Sequence, residues 1–178
     1  MGVEIERKFT IKSLPEGLER FPCHRIEQGY LNVSPAVRVR REDDSYYMTY
    51  KGNRNADGIG QTEYNMPLDA KSYGHLIAKA DGNVISKRRY LIPLNDDSFT
   101  KEFLRDHPDV ADMIRNGDMK IELDVFEGVY RGRVLAEVEF PSKEIALLYN
   151  PASWFRDDVS GDQRYSNAYM STEKIVLA

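Results

Sequence analysis

The chain has few of the side chains that carry soft-metal or nucleophilic chemistry. With one cysteine, Cys23, in 178 residues, neither an intramolecular disulfide nor a cysteine metal cluster is possible. Cys23 has no activating partner near it in sequence, and it reads as a partly buried small residue. The three histidines, His24, His75 and His107, lack ligand spacing, and surface or structural roles are expected of them. The single tryptophan, Trp154, is followed by Phe155, a pair expected to pack the tail onto the body. No Walker-type glycine-rich loop occurs, so phosphates would have to be held by side chains. No apolar run approaches membrane-spanning length, and the chain opens on a charged stretch with no apolar leader; a cytoplasmic protein with no membrane partner is expected. A net charge of −4 argues against a broad basic surface for nucleic acid, while leaving room for a local basic pocket.

What the chain does have is charge at alternate positions. In Val3-Glu4-Ile5-Glu6-Arg7-Lys8-Phe9, an extended backbone puts Glu4, Glu6 and Lys8 on one face and Val3, Ile5 and Phe9 on the other. Carboxylates two residues apart on a strand sit about 7 Å from each other and repel unless cations lie between or opposite them. Like charges also recur at i and i+2 in Arg38-Val39-Arg40, Lys87-Arg88-Arg89, Glu122-Leu123-Asp124 and Glu137-Val138-Glu139. Lys51 and Glu63 add single charges in similar runs.

Alternation and turn residues predict strands over about 2–11, 25–33, 36–43, 45–52, 61–67, 83–92, 120–127 and 133–141. Asp43-Asp44-Ser45 reads as a hairpin turn, Glu127-Gly128 as a strand end, and 52–58 as an irregular polar loop. Asp69 is placed to cap a helix over 70–80 with an apolar stripe of Tyr73, Leu76, Ile77 and Ala80. A helical stretch over 99–116 is broken near Pro108 and stopped at Gly117. Ser142 opens a short helix carrying Ile145, Leu147 and Leu148, and a last helical turn is expected at 166–168. No repeat or composition break divides the chain, so residues 1–178 read as one domain.

Eight mostly antiparallel strands with a few amphipathic helices predict an α+β domain, either a closed eight-stranded β-barrel or a strongly curved sheet. The apolar face would carry Val3, Ile5, Val37, Val39, Met48, Tyr50, Tyr64, Met66, Ile121, Leu123, Val125, Ala136, Val138 and Phe140. With helices packed outside that face, the charges line the lumen. A solvated sheet face is the plain alternative, but such faces mix Thr, Ser and Gln, and here nearly every alternate position is ionised. A salt-bridge lattice without a ligand is disfavoured, because desolvation tends to cancel the Coulomb gain. Carboxylates without His or Cys neighbours suit Mg²⁺ or Mn²⁺, and Arg and Lys suit phosphate oxygens. Together they suit a metal-bound polyphosphate.

The ordered motifs resemble the CYTH superfamily, the triphosphate tunnel metalloenzymes, in its small single-domain bacterial branch. The resemblance rests on Glu4-Ile5-Glu6-Arg7-Lys8-Phe9, Gln28-Gly29-Tyr30-Leu31, Arg38-Val39-Arg40, Met48-Thr49-Tyr50-Lys51, Lys87-Arg88-Arg89-Tyr90, Glu122–Gly128, Ala136–Phe140 and the tail Trp154–Asn167. It implies an eight-stranded tunnel that binds triphosphate with Mg²⁺ or Mn²⁺ and cleaves tripolyphosphate to pyrophosphate and phosphate. By position, Glu4, Glu6 and Glu139 would hold metal, with Glu137 and Glu63 near the ions. Lys8, Arg38, Arg40, Lys51, Lys87 and Arg89 would grip phosphates. Tyr30 and Lys87 match a catalytic pair, and Glu63, Glu122 or Asp124 would orient the attacking water. A thiamine triphosphatase, a class IV adenylate cyclase, or a noncatalytic polyphosphate or nucleotide sensor are the alternatives, with no nucleic-acid partner and homodimerisation left open. Two departures stand out. The family's R-x-E-x-E strand reads Gln61-Thr62-Glu63-Tyr64-Asn65 here, and the 95–118 segment is long for a connection.

Overall fold

The structure, a computed structural model, describes residues 2–54 and 60–174. Residues 55–59, which include 55–58 of the expected polar loop, and the side chains of Val3 and Gln61 lie outside the described residues. The strands are β1 Gly2–Ile11, β2 Cys23–Val33, β3 Ala36–Glu42, β4 Ser45–Arg54, β5 Gly60–Leu68, β6 Asp81–Pro93, β7 Lys120–Phe126, β8 Val134–Glu139 and β9 Phe155–Asp158. The α-helices are α1 Ala70–Ile77, α2 Lys101–Asp106, α3 Pro108–Asn116, α4 Lys143–Leu148 and α5 Asn167–Ser171. Asp69, Thr100 and Ser142 cap α1, α2 and α4 by accepting from the backbone N–H three residues on, and Gly117 ends α3 with φ at 75°.

The strands form one nine-stranded antiparallel sheet in the order β5-β4-β3-β2-β6-β7-β8-β1-β9, with a further pairing of β5 to β1. Gly2–Ile5 pair with β5 and Glu6–Phe9 with β8, so following hydrogen-bonded neighbours through eight strands leads back to β1. The ninth strand corrects the expected count. Past the register of β5, the outer half of β1 has an open edge, and β9 takes it by pairing Ile11 with Phe155. Phe-Arg-Asp-Asp has no apolar alternation, which is why the strand is hard to see in sequence.

The outward face of β1, β6, β7 and β8 carries the main core. Phe9, Ile121, Leu123, Ala136 and Val138 are buried there against Val110 of α3, Ala146 of α4 and Phe155. Phe9 stacks on Phe155 with ring centroids 4.6 Å apart, so the expected packing of the tail holds. On the other side, α1 lies directly on β2. A Cβ at Gly29 would come within 2.6 Å of both the Ala80 Cβ and the Ile77 Cδ1, so glycine is what permits the approach.

Helices do not cover the whole apolar face, contrary to expectation. Tyr50, Tyr64 and Met66 on β4 and β5 are 41%, 45% and 49% exposed, because α1 reaches only the β2–β4 side. In α4 the buried residue is Ala146, while Leu147 and Leu148 point to solvent; at six residues the helix turns a single side to β1. Cys23, expected to be partly buried, is exposed at the start of β2. Among the described residues no helix is long and apolar enough to cross a membrane.

Candidate active site

Charges do face inward. Lys8, Arg38, Arg40, Lys87, Arg89, Asp124 and Glu137 are all buried. Yet the interior is charged over only part of its length. Along β6, β7 and β8 the inward side chain next to the charges is apolar: Ile85 before Lys87, Phe126 after Asp124, Leu135 before Glu137. These pack with Tyr30, Ala36 and Met170 of α5 into a second, inner apolar cluster.

The charged part encloses a cavity of about 750 Å³, a size suited to a small-molecule ligand. Its wall carries Glu4, Glu6 and Lys8 from β1, Tyr30 from β2, Arg38 and Arg40 from β3, Lys51 from β4, Glu63 from β5, Arg89 from β6, and Glu137 and Glu139 from β8. Lys87, Glu122 and Asp124 stand behind this wall. Asp124 accepts from the Arg89 Nε and Nη2 at 2.7 Å each and pairs with Lys87. The Arg89 guanidinium also pairs with Glu122, and with Glu137 at 2.8 Å. Burial drags the Lys87 ammonium down to about 8 despite Asp124. Burial works to raise the Asp124 and Glu137 carboxyls, but the cations win: Arg89 and Lys87 hold Asp124 low, and Lys8 and Arg89 hold Glu137 well below the usual range.

Lys8 sits 2.8 Å from Glu137 and 3.7 Å from Glu6. Lys51 pairs with Glu4, and with Glu63 at 2.9 Å. That contact overcomes burial and holds Glu63 at about 2. Arg40 donates from Nε to the Gln28 Oε1 at 3.0 Å and from Nη1 to the Tyr47 hydroxyl at 3.2 Å. Arg38 differs from the other cations. Among the described residues its side chain makes one hydrogen bond, from Nη2 to the Thr49 Oγ1 at 3.3 Å, its Nε has no partner, and no carboxylate lies within ion-pair distance. Burial and the neighbouring Arg40 charge pull its pKa below the ordinary guanidinium value.

The carboxylates show the opposite imbalance. Glu6 faces Glu139 across β1–β8, and Glu122 faces Glu137 across β7–β8, like charges in direct cross-strand register. Burial, then Glu122, Glu4, Glu6 and Glu137, push Glu139 up to about 7, although its side chain is exposed to the cavity. Burial also raises Glu4 and Glu122 against the pull of Lys51 and Arg89. This all-oxygen set fits a hard divalent cation such as Mg²⁺ or Mn²⁺. Among the described residues no three acidic or histidine side chains already stand in ligating geometry.

Reading charge alone missed two groups. Thr49 donates to the Asn65 Oδ1 at 2.6 Å and Asn65 to the Glu63 Oε1 at 2.7 Å, linking Arg38 to Glu63 through neutral side chains. Both lie two residues from a flagged charge, so strict alternation points to them, and Asn65 occupies one of the departing positions. The other group is the C-terminal segment: Gly161, Gln163, Ser166, Asn167, Tyr169 and Thr172 line the cavity. No periodicity marks them, since the segment folds as a bend and a short helix.

No family model matches the chain. It is 32% identical over 168 residues to an inorganic triphosphatase of Nitrosomonas europaea, covering 92% of this chain and 93% of that one. It is 29% identical over 176 residues to an inorganic triphosphatase of Acetivibrio thermocellus, covering 94% and 92%. The crystal structure of an inorganic triphosphatase superposes with a TM-score of 0.65 at 28% identity, covering 98% of this chain and 97% of that one. A Hippeastrum adenylyl cyclase candidate with a dominant triphosphatase activity shares the fold alone, at 15% identity and a TM-score of 0.54 over 81% of this chain and 82% of that one. The fold is thus that of the triphosphate-tunnel, or CYTH-like, class. The chain belongs to the inorganic triphosphatase family.

Proposed function

We propose that this protein hydrolyses inorganic tripolyphosphate to pyrophosphate and phosphate, with Mg²⁺ or Mn²⁺, inside a tunnel closed where β5 meets β1. Arg38 carries this reading. A buried guanidinium without a counter-charge is costly, and a phosphate oxygen at its open Nε would supply the missing partner. Arg40, Lys8 and Lys51 would grip the rest of the chain. Arg89, tied on several sides by Asp124, Glu122 and Glu137, presents a fixed charge. Lys87 acts through Asp124 to position Arg89, without touching substrate. Of the three carboxylates considered for orienting water, only Glu63 is on the cavity wall, held by Lys51 and Asn65. Water adds to the terminal phosphorus, the bridging P–O bond breaks with pyrophosphate leaving, and the water proton departs with the products. Positioning and electrostatic stabilisation supply most of the rate in such transfers, so no covalent nucleophile is required. Glu4, Glu6, Glu137 and Glu139 would hold the metal, which when bound neutralises charge on the phosphate oxygens.

The test is phosphate release from tripolyphosphate, ATP and thiamine triphosphate, each with Mg²⁺, Mn²⁺ or EDTA. Metal-dependent release, fastest from tripolyphosphate, is expected. Cyclic AMP from ATP, or tight tripolyphosphate binding without turnover, would contradict the reading.

The metal assignment has a readout independent of activity. Burial and the neighbouring carboxylates raise Glu139 to about 7 and also raise Glu4, so at Glu139 the folded state holds more protons than the unfolded chain from about pH 4.5 to about pH 7. The contribution of Glu139 to metal-free stability is therefore present at low pH and lost as pH rises through 7, and Glu4 acts in the same direction. Mg²⁺ is expected to raise Tm more at pH 8 than at pH 5.5, measured by thermal melts with and without EDTA. Equal shifts at both pH values would remove Glu139 and Glu4 as ligands.

A further inference from the structure

One side of the cavity is lined by the chain's own C-terminal segment, and that segment is specifically anchored. Met170 of α5 is buried in the inner apolar cluster with Ile85, Phe126 and Leu135. The Tyr130 hydroxyl donates to the Met170 carbonyl. Asn83 donates from Nδ2 to the Glu173 carbonyl at 2.7 Å and the Ser171 carbonyl at 3.3 Å, and Arg133 pairs with Glu173 at 2.7 Å. At Gly82, with φ at 68°, a Cβ would fall 2.1 Å from the Ser171 carbonyl oxygen, so β6 keeps a bare backbone where the segment crosses it.

Against the same segment lies a second cavity of about 430 Å³, lined by Arg133, Tyr169, Thr172, Glu173 and Lys174. Tyr169 and Thr172 line both cavities, so α5 and the residue after it form the partition between them. Cations stand on both sides: Arg38 and Lys51 in the first cavity, Arg133 and Lys174 in the second.

We infer that α5 and Thr172 set the length of phosphate chain the site accepts, restricting it to short linear polyphosphates. This rests on the triphosphatase reading above and deepens it. A chain entering the first cavity meets the partition after a few phosphates, and a longer chain has to leave its remainder outside, where fewer cations hold it. Displacing the partition joins the two cavities and lets the chain run on to Arg133 and Lys174. Tyr130, Asn83 and Gly82 touch no substrate here. They are positioning residues for the partition.

The experiment compares kcat and KM for tripolyphosphate, tetrapolyphosphate and a long-chain polyphosphate in the wild type and the double variant Tyr130→Phe/Asn83→Ala. That pair removes the hydroxyl and amide donors holding the segment while leaving the apolar cluster in place. The single variant Asn83→Ala serves if the double variant does not fold. Expected are a wild type that prefers tripolyphosphate to long chains, and a variant whose long-chain kcat/KM rises about tenfold, mainly through KM, as the displaced state gains population. Tripolyphosphate kinetics should change far less. A wild type that cleaves all lengths equally, or a variant that shifts all lengths together, overturns the length-setting role alone. A wild type that neither binds nor cleaves any of the three overturns the triphosphatase reading with it.

Discussion

Arg38→Met is expected to abolish most tripolyphosphate turnover while leaving the protein at least as stable. The two effects have opposite signs because Arg38 is a buried cation with a hydroxyl contact and, among the described residues, no carboxylate within ion-pair distance. In the free protein its desolvation is uncompensated, so an apolar side chain of similar length relieves a cost, and Tm should hold or rise by about 2–4 °C per kcal/mol gained. With substrate present, that charge is the partner the phosphate lacks elsewhere. Its loss should lower kcat/KM about 10³-fold, or ~4 kcal/mol, a typical penalty for removing one side of a buried charged hydrogen bond. Melting curves and steady-state kinetics on one preparation test both halves. A variant that unfolds easily would make Arg38 a structural ion-pair member, and one that turns over normally would remove it from the site.

Asp124→Asn should do the reverse, damaging the fold first. Asp124 is 1% exposed and bridges Lys87 and Arg89, so an amide in its place takes from buried Lys87 its ion-pair partner among the described residues and leaves Arg89 with Glu122 and Glu137 alone. Breaking a buried pair in this way costs about 3–5 kcal/mol, or roughly 10 °C in Tm for a chain of this size. The deficit should depend on pH. Lys87 already titrates at about 8 in the folded protein, below its usual value, so its folded form binds fewer protons than the unfolded chain and stability rises with pH through that window. Without Asp124 the lysine gives up its proton lower still, and the gap to wild type should narrow as pH climbs towards 8. Melts between pH 6 and pH 8.5 test this. A constant gap would mean Lys87 stays charged, and a negligible one would mean Arg89 and Lys87 find other partners.

Sequence alternation made the charged inner face legible, because a period of two leaves little choice once one face is apolar and packed. It placed Arg38, Arg40, Lys8 and Glu137 inside, where they are buried. Three things were not legible. β9 has no periodicity and forms only because β1 offers an open edge. The inner apolar cluster needs Ile85, Phe126 and Leu135 to meet across β6, β7 and β8 and to receive Met170, a long-range event that no local pattern encodes. The split of the cations into wall and backing depends on pairing geometry: Arg89 and Lys87 share Asp124 and lie two residues apart, yet only Arg89 reaches the cavity. The changed strand Gln61–Asn65 is informative in a way composition cannot show. Asn65 joins Thr49 to Glu63 by hydrogen bonds, keeping Glu63 oriented with no second carboxylate at its own position.

A crystal structure of the protein with tripolyphosphate bears most directly on whether the inward charges form a substrate site. Phosphate oxygens accepting from the Arg38 Nε, with Arg40 and Lys51 alongside and the chain stopping short of α5, are the expected result. Tripolyphosphate bound on the outer surface, with Arg38 still lacking an anionic partner, would contradict it.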